Sequence, residues 1–167
     1  MSKAFTQESD GGEEFFMPPP LPPGVKNYIT PGGAARLATE IKKLQEEKSL
    51  LSASDVAARA RREKIDAQLS YLVPRFDAVH VIDPSLQPKD RVLFGARFTL
   101  RDGAGAQEVW RIVGLDEMDL DRGDLSWMSP LAMALLDKKS GDTVAFRGRA
   151  LTLLKIDYPA GDGKITE

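Results

Sequence analysis

The sequence contains no cysteine and one histidine, His80, among 167 residues. The first absence excludes disulfides, thiolate nucleophiles, Cys-based zinc sites and iron–sulfur clusters, and it fits a reducing compartment. The second disfavours His-based catalysis or metal binding. An excess of one charge is also missing: 23 Lys and Arg stand against 25 Asp and Glu, a net charge of −2. A general basic coat for DNA is therefore excluded, and any nucleic-acid contact needs a local patch. No apolar run approaches the roughly 18 residues of a membrane span, and the first residues lack the basic-then-apolar layout of a secretion signal. A soluble cytoplasmic protein without a membrane partner is expected. The content of 42% hydrophobic and 29% charged residues suits one compact domain carrying an extended appendage.

Proline is unevenly spread. Five of the eleven lie between Met17 and Gly24, which rules out a helix or central strand there. Glu8, Asp10, Glu13 and Glu14 precede them with little to bury, so residues 1–27 read as a mobile, partly polyproline-II arm. Phe15, Phe16 and Met17 offer an alternative, docking on a partner or on the protein's own surface.

Thr30-Pro31 marks a helix start. Ala34, Leu37, Ile41, Leu44, Lys48 and Leu51 then step by three and four, the pattern of a coiled-coil seam. A second register, Ala58, Arg62, Ile65, Leu69, Leu72 and Phe76, follows the polar turn Ser52-Ala53-Ser54-Asp55. Two antiparallel helices of roughly 30 Å over residues 28–78 are expected, with fraying toward the loop where Lys48 and Arg62 enter the seam. Such a hairpin buries too little to stand alone and needs a base.

Pro74, Pro84 and Pro88 punctuate a change to strand-like periodicity. Val79 to Ile82, with His80 half-buried, reads as a short strand, and Val92–Arg101 and Glu108–Gly114 form a hairpin about the turn at Asp102-Gly103-Ala104-Gly105. Leu125-Ser126-Trp127 is a third strand. Ser129-Pro130 opens a short helix ending by Asp137, and Thr143–Phe146 and Ala150–Tyr158 close the fold about a turn near Gly148. Residues 79–160 thus predict an antiparallel sheet with one short helix, 161–167 a tail, and the whole chain an α+β protein. Asp116, Glu117, Asp119, Asp121 and Asp124 lack EF-hand spacing and read as a solvated acidic loop. Residues 31–76 carry a net +3 and 77–167 a net −3. The basic residues Arg59, Arg61, Arg62 and Lys64 form a candidate hairpin face for phosphates or an acidic protein, or else a solvated helix surface.

This plan resembles the Gre transcript-cleavage factors that bind bacterial RNA polymerase. Tyr28 through Leu37 is similar to the start of their first arm, and Ile65 through Leu72 to the returning arm. Phe94-Gly95-Ala96, Trp110 through Glu117 and Ser129 through Leu136 follow the family in order and spacing. Met1 through Thr6, with the acidic and proline-rich residues after it, resembles the start of GreB-type chains. The resemblance implies an FKBP-like C-terminal domain docking on the rim of the polymerase secondary channel near Ser129 and Pro130. Met128 stands where the family often carries Asp or Asn. Met128, Ser129, Pro130, Leu131 and Met133 are thus the candidate partner-binding residues, or Leu131 belongs to the core.

The resemblance breaks at the hairpin tip. The family's cleavage chemistry is implied to need an acidic tip, typically Asp-x-x-Glu-Asn, whose carboxylates help hold a second Mg²⁺. Here Ser52, Ser54 and Asp55 occupy the tip, and the shortened coiled coil is Rnk-like. Asp55 suits the first turn of the second helix, while Glu46 and Glu47 diverge by about 100° on theirs. The expectation is a monomeric regulator, not an enzyme, with no cofactor. It would bind RNA polymerase, meet nucleic acid only through the transcription complex, and compete with true Gre factors. The alternatives are cleavage stimulation through Asp55 with Glu46 or Glu47, or an interaction module for a non-polymerase partner.

Overall fold

A computed structural model describes residues 18–160; most of the expected arm, including Phe15, Phe16 and Met17, and the tail at 161–167 lie outside the described residues. The chain begins with a short strand, β1 (Asn27–Ile29), which leads into α1 (Pro31–Leu50). After a short turn α2 (Val56–Asp77) returns, followed at once by β2 (Val79–Val81). β1 and β2 pair in parallel, Asn27 opposite Val79 and Ile29 opposite Val81, and so close the hairpin at its foot. β1 falls where the arm was expected to end.

Both helices start as the sequence predicts. Thr30 caps α1 by accepting from the Gly33 N–H at 3.0 Å, with Pro31 at the first helical position. Asp55 caps α2 by accepting from the Ala57 N–H at 3.0 Å. Pro74 lies inside the last turn of α2 rather than ending it. Its missing N–H costs one bond, and the Ala78 N–H donates to the carbonyls of Pro74 and Arg75 to finish the helix. Leu44, Ile65 and Leu72 are buried in the seam, flanked by Leu37, Ile41, Leu51 and Leu69. Toward the loop the packing becomes polar. Lys48 pairs with Asp66 across the helices, and Arg62 donates to the Leu51 carbonyl at 3.0 Å.

The remaining strands are β3 (Arg97–Arg101), β4 (Gln107–Val113), β5 (Asp124–Ser126), β6 (Thr143–Phe146) and β7 (Arg149–Asp157), with α3 (Pro130–Leu135) between β5 and β6. They form one sheet in the order β5-β4-β3-β7-β6. Two expectations need correction. β5 pairs parallel to β4, so the sheet is antiparallel except at that edge, and residues 114–123 make a compact crossover. The largely buried Arg111–Asp124 pair, with Nε–Oδ1 2.8 Å and Nη2–Oδ2 3.1 Å, ties the two strands. Residues 92–96 are not strand; they form a turn in which the Ala96 N–H donates to the Leu93 carbonyl. Val92, Phe94 and Ala96 are all buried, so their alternation imitated a strand while serving the core. That core joins Phe98, Leu100, Ile112 and Leu153 from the sheet to Ala132 and Leu135 of α3.

Candidate functional site

Three regions carry functional candidates: the hairpin foot, its tip, and the corner preceding α3. At the foot the acidic loop overturns its expected solvated role. Glu117 is buried and gathers donors from both halves of the molecule. One oxygen accepts from the N–H groups of Thr30 and Gly114, each at 2.9 Å, and the other accepts from the Thr30 hydroxyl and, at 3.4 Å, from Arg36 Nη2. In an ordinary capping box the residue three positions after the cap would bond the cap's N–H. Here that position is Gly33, and Glu117 supplies the carboxylate from 87 residues away. A Cβ on Gly33 would overlap the Glu117 carboxylate, and one on Gly114 would overlap the Tyr28 carbonyl oxygen. Both glycines are therefore dictated by the close approach.

Asp116 holds the other helix. It accepts from Arg75 Nε near the end of α2 and from Asn27 Nδ2 of β1, both at 2.8 Å. Neighbouring carboxylates thus clamp both ends of the hairpin to the sheet domain. Of the other three, Asp124 pairs with Arg111, Asp119 caps the turn at Leu120–Arg122, and Asp121 is exposed. His80 is exposed on β2 rather than half-buried, and its ring meets Tyr28 edge-on at 6.3 Å.

At the tip each carboxylate has a local task. The Ser52 and Ser54 hydroxyls hydrogen-bond each other at 2.8 Å, while Asp55 serves as the α2 cap. Glu47 receives Arg61 through Nε–Oε1 at 2.5 Å and Nη2–Oε2 at 2.8 Å, and the guanidinium holds its carboxyl below the usual carboxylate range. Glu46 pairs with Lys42 on its own helix at 3.7 Å. Among the described residues no group of three or more acidic or histidine side chains is placed to hold a metal ion. Leu50 and Val56, 86% and 78% exposed, flank the turn instead.

The expected basic face is divided. Arg61 and Arg62 are turned to Glu47 and the Leu51 carbonyl, which leaves Arg59 and Lys64 without partners among the described residues. The spacing that placed Arg62 in the seam was the signal that it would turn inward.

In the corner before α3, Ser129 caps the helix by accepting from the Ala132 N–H at 3.2 Å, so its hydroxyl oxygen is already engaged. Leu131 packs against the core, Met128 is half-buried, and Pro130 and Met133 are exposed, Met133 by 63%. Trp127 beside them meets the Tyr28 ring edge-on at 5.3 Å, linking the corner to the hairpin foot.

A helical hairpin clamped by buried carboxylates to a five-stranded sheet defines a two-part, rod-on-base protein. The family model "Transcription elongation factor, GreA/GreB, C-term" matches residues 87–158. Transcription elongation factor GreB of Neisseria meningitidis serogroup A is 33% identical over 154 residues, covering 80% of this chain and 94% of that protein. GreB of Pseudomonas aeruginosa is 34% identical over 151 residues, covering 78% and 90%. Among solved structures, the GreA/GreB factor of Nitrosomonas europaea aligns at 19% identity with a TM-score of 0.40, covering 80% of this chain and 100% of that one. The chain belongs to the GreA/GreB family of transcription elongation factors.

Proposed function

We propose that this chain binds bacterial RNA polymerase at the rim of the secondary channel and regulates elongation without stimulating transcript cleavage, competing there with cleavage-competent relatives. The observation that carries this reading is the tip: α1 ends at Leu50, α2 begins at Val56, and the single carboxylate between them is the cap of α2. The alignment with the Neisseria factor supports it. Those 154 positions exceed the roughly 134 residues that 80% of this chain supplies, so about twenty positions of that factor have no counterpart here. Placed in the hairpin, they would add about ten residues, or about 15 Å, to each arm.

The docking surface in this reading is Pro130 and Met133 with Met128 beside them, an apolar anchor of the kind found at adaptable interfaces. The protein acts as a cytoplasmic monomer without a cofactor, and it meets nucleic acid only through the transcription complex. Binding of the purified chain to core polymerase tests the proposal. Association at micromolar concentration, weakened about tenfold by Met133→Glu, is the expected result, since a charge in a buried apolar contact costs on the order of 1–2 kcal/mol. Absence of any association overturns it.

A further inference from the structure

The two faces of the sheet carry different chemistry. Ala132 and Leu135 of α3 pack on the inner face with Phe98, Leu100, Leu151 and Leu153. Alternation along β7 from Leu151 and Leu153 would send Lys155 and Asp157 inward as well. They turn outward because the register against β3 shifts: Leu100 stands opposite Leu153 but Thr99 opposite Lys155, so Leu154 is an extra residue. This is a β-bulge, which re-aims the side chains beyond it. Ile156 then turns to the core, Asp157 meets Arg97 at 2.9 Å on the outer face, and Lys155 emerges there with its side chain 74% exposed.

The outer face gathers cations on a domain whose total is acidic. Arg97, Arg101, Arg111 and Lys155 share it with Asp157. Arg97 is matched by Asp157 and Arg111 by Asp124. Lys155 reaches Asp157 only at 3.9 Å, and Arg101 is exposed with no ion pair among the described residues. Thr99 lies opposite Lys155 and Arg101 opposite Thr152, so two cations occupy one diagonal of a rectangle and two hydroxyls the other. Diagonal neighbours of this kind lie about 7–8 Å apart. The Thr99 hydroxyl has no hydrogen-bond partner among the described residues, and Val109, 43% exposed, stands beside it on β4.

We propose that this rectangle is a docking surface for an acidic segment of a partner protein, with carboxylates at Arg101 and Lys155 and an apolar side chain against Val109. Carboxylates at i and i+4 of a helix, with Cβ atoms about 5–6 Å apart, span both cations. A nucleic-acid strand fits less well. None of the outward side chains of β3, β4, β6 and β7 is aromatic, so no base stacks there. Two uncompensated cations on a chain of net −2 also give a polyphosphate little attraction. The surface lies across the sheet from α3, apart from Pro130 and Met133, and binding at one is independent of binding at the other.

The test titrates the isotope-labelled full-length chain with a helical peptide carrying i, i+4 glutamate pairs beside leucine, with the same peptide carrying glutamine, and with oligothymidylate of matched charge. Saturable shifts of the Thr99, Arg101, Thr152 and Lys155 amides are expected with the glutamate peptide alone, weakened about fivefold in the double variant Arg101→Gln, Lys155→Gln. The proposal is overturned if those amides do not move, if the glutamine peptide moves them equally, or if the shifts centre on Arg59 and Lys64 of the hairpin. It is equally overturned if oligothymidylate moves them at lower concentration, or if raising the concentration of the chain alone does so, because the occupant is then a nucleic acid or a second copy.

Discussion

Glu117 shows how one side chain sets the relation between two parts of this protein. It replaces the missing third-position carboxylate of α1, and its four donors lose their acceptor together in Glu117→Ala. A buried charged acceptor serving several donors is worth about 3 kcal/mol, so urea unfolding of Glu117→Ala should show a loss of that order. Gly33→Ala should also destabilise, by about 1–3 kcal/mol, through its collision with the same carboxylate. The two changes should not add: the methyl group introduced at position 33 is relieved of its clash when the Glu117 carboxylate is gone, and the double variant should be distinctly more stable than the sum predicts. None of this was legible in the sequence. Five carboxylates in nine residues look solvated until the fold brings Thr30, Arg36, Asn27 and Arg75 to them. The one local hint was Gly33, a glycine at a position where a capping box would place Glu or Gln.

At the scale of elements the helices were the legible part. Thr30-Pro31, the polar tip and Ser129-Pro130 act within a turn of chain, and their caps form as the residues dictate. The strands were less so. The turn at 92–96 alternates like a strand because three of its side chains enter the core, and the parallel placement of β5 depends on Arg111 reaching Asp124 rather than on any local pattern. The outer hairpin carries its own prediction. Arg61 lowers the Glu47 carboxyl in the folded chain, so its contribution is present above the ordinary carboxylate value and is lost as the pH falls through the folded value. Amide exchange near Glu47 and Arg61 should therefore accelerate on acidification relative to the sheet, after correction for intrinsic rates. Arg61→Gln should remove that dependence. The Lys48–Asp66 pair nearby also sits at the surface, where such pairs contribute about 0–1 kcal/mol. The outer half should accordingly exchange faster than the segment around Leu44, Ile65 and Leu72 at every pH.

For the whole molecule, opposed charges and a short rod matter more than the near-zero total. The hairpin is basic, the sheet domain acidic, and Asp116 and Glu117 join them through Arg75 and Arg36. The clamp fixes the rod on the base, the turn between the helices holds one carboxylate, the cap Asp55, and Pro130 and Met133 are exposed at the corner before α3. The candidate partner residues were named from resemblance. The structure divides them into an engaged cap, a leucine packed on the core, a half-buried Met128 and the exposed Pro130 and Met133, a distinction that follows from α3 packing and lay beyond the linear order of residues.

The central claim is occupancy without cleavage, and one assay addresses both halves. A backtracked elongation complex is incubated with this protein alone, and then with a fixed amount of a cleavage-competent GreB and rising amounts of this protein. The account predicts no shortened RNA in the first arm and dose-dependent suppression of GreB-stimulated shortening in the second. Shortened RNA from this protein alone, or GreB activity unaffected at saturating amounts of it, would contradict the account.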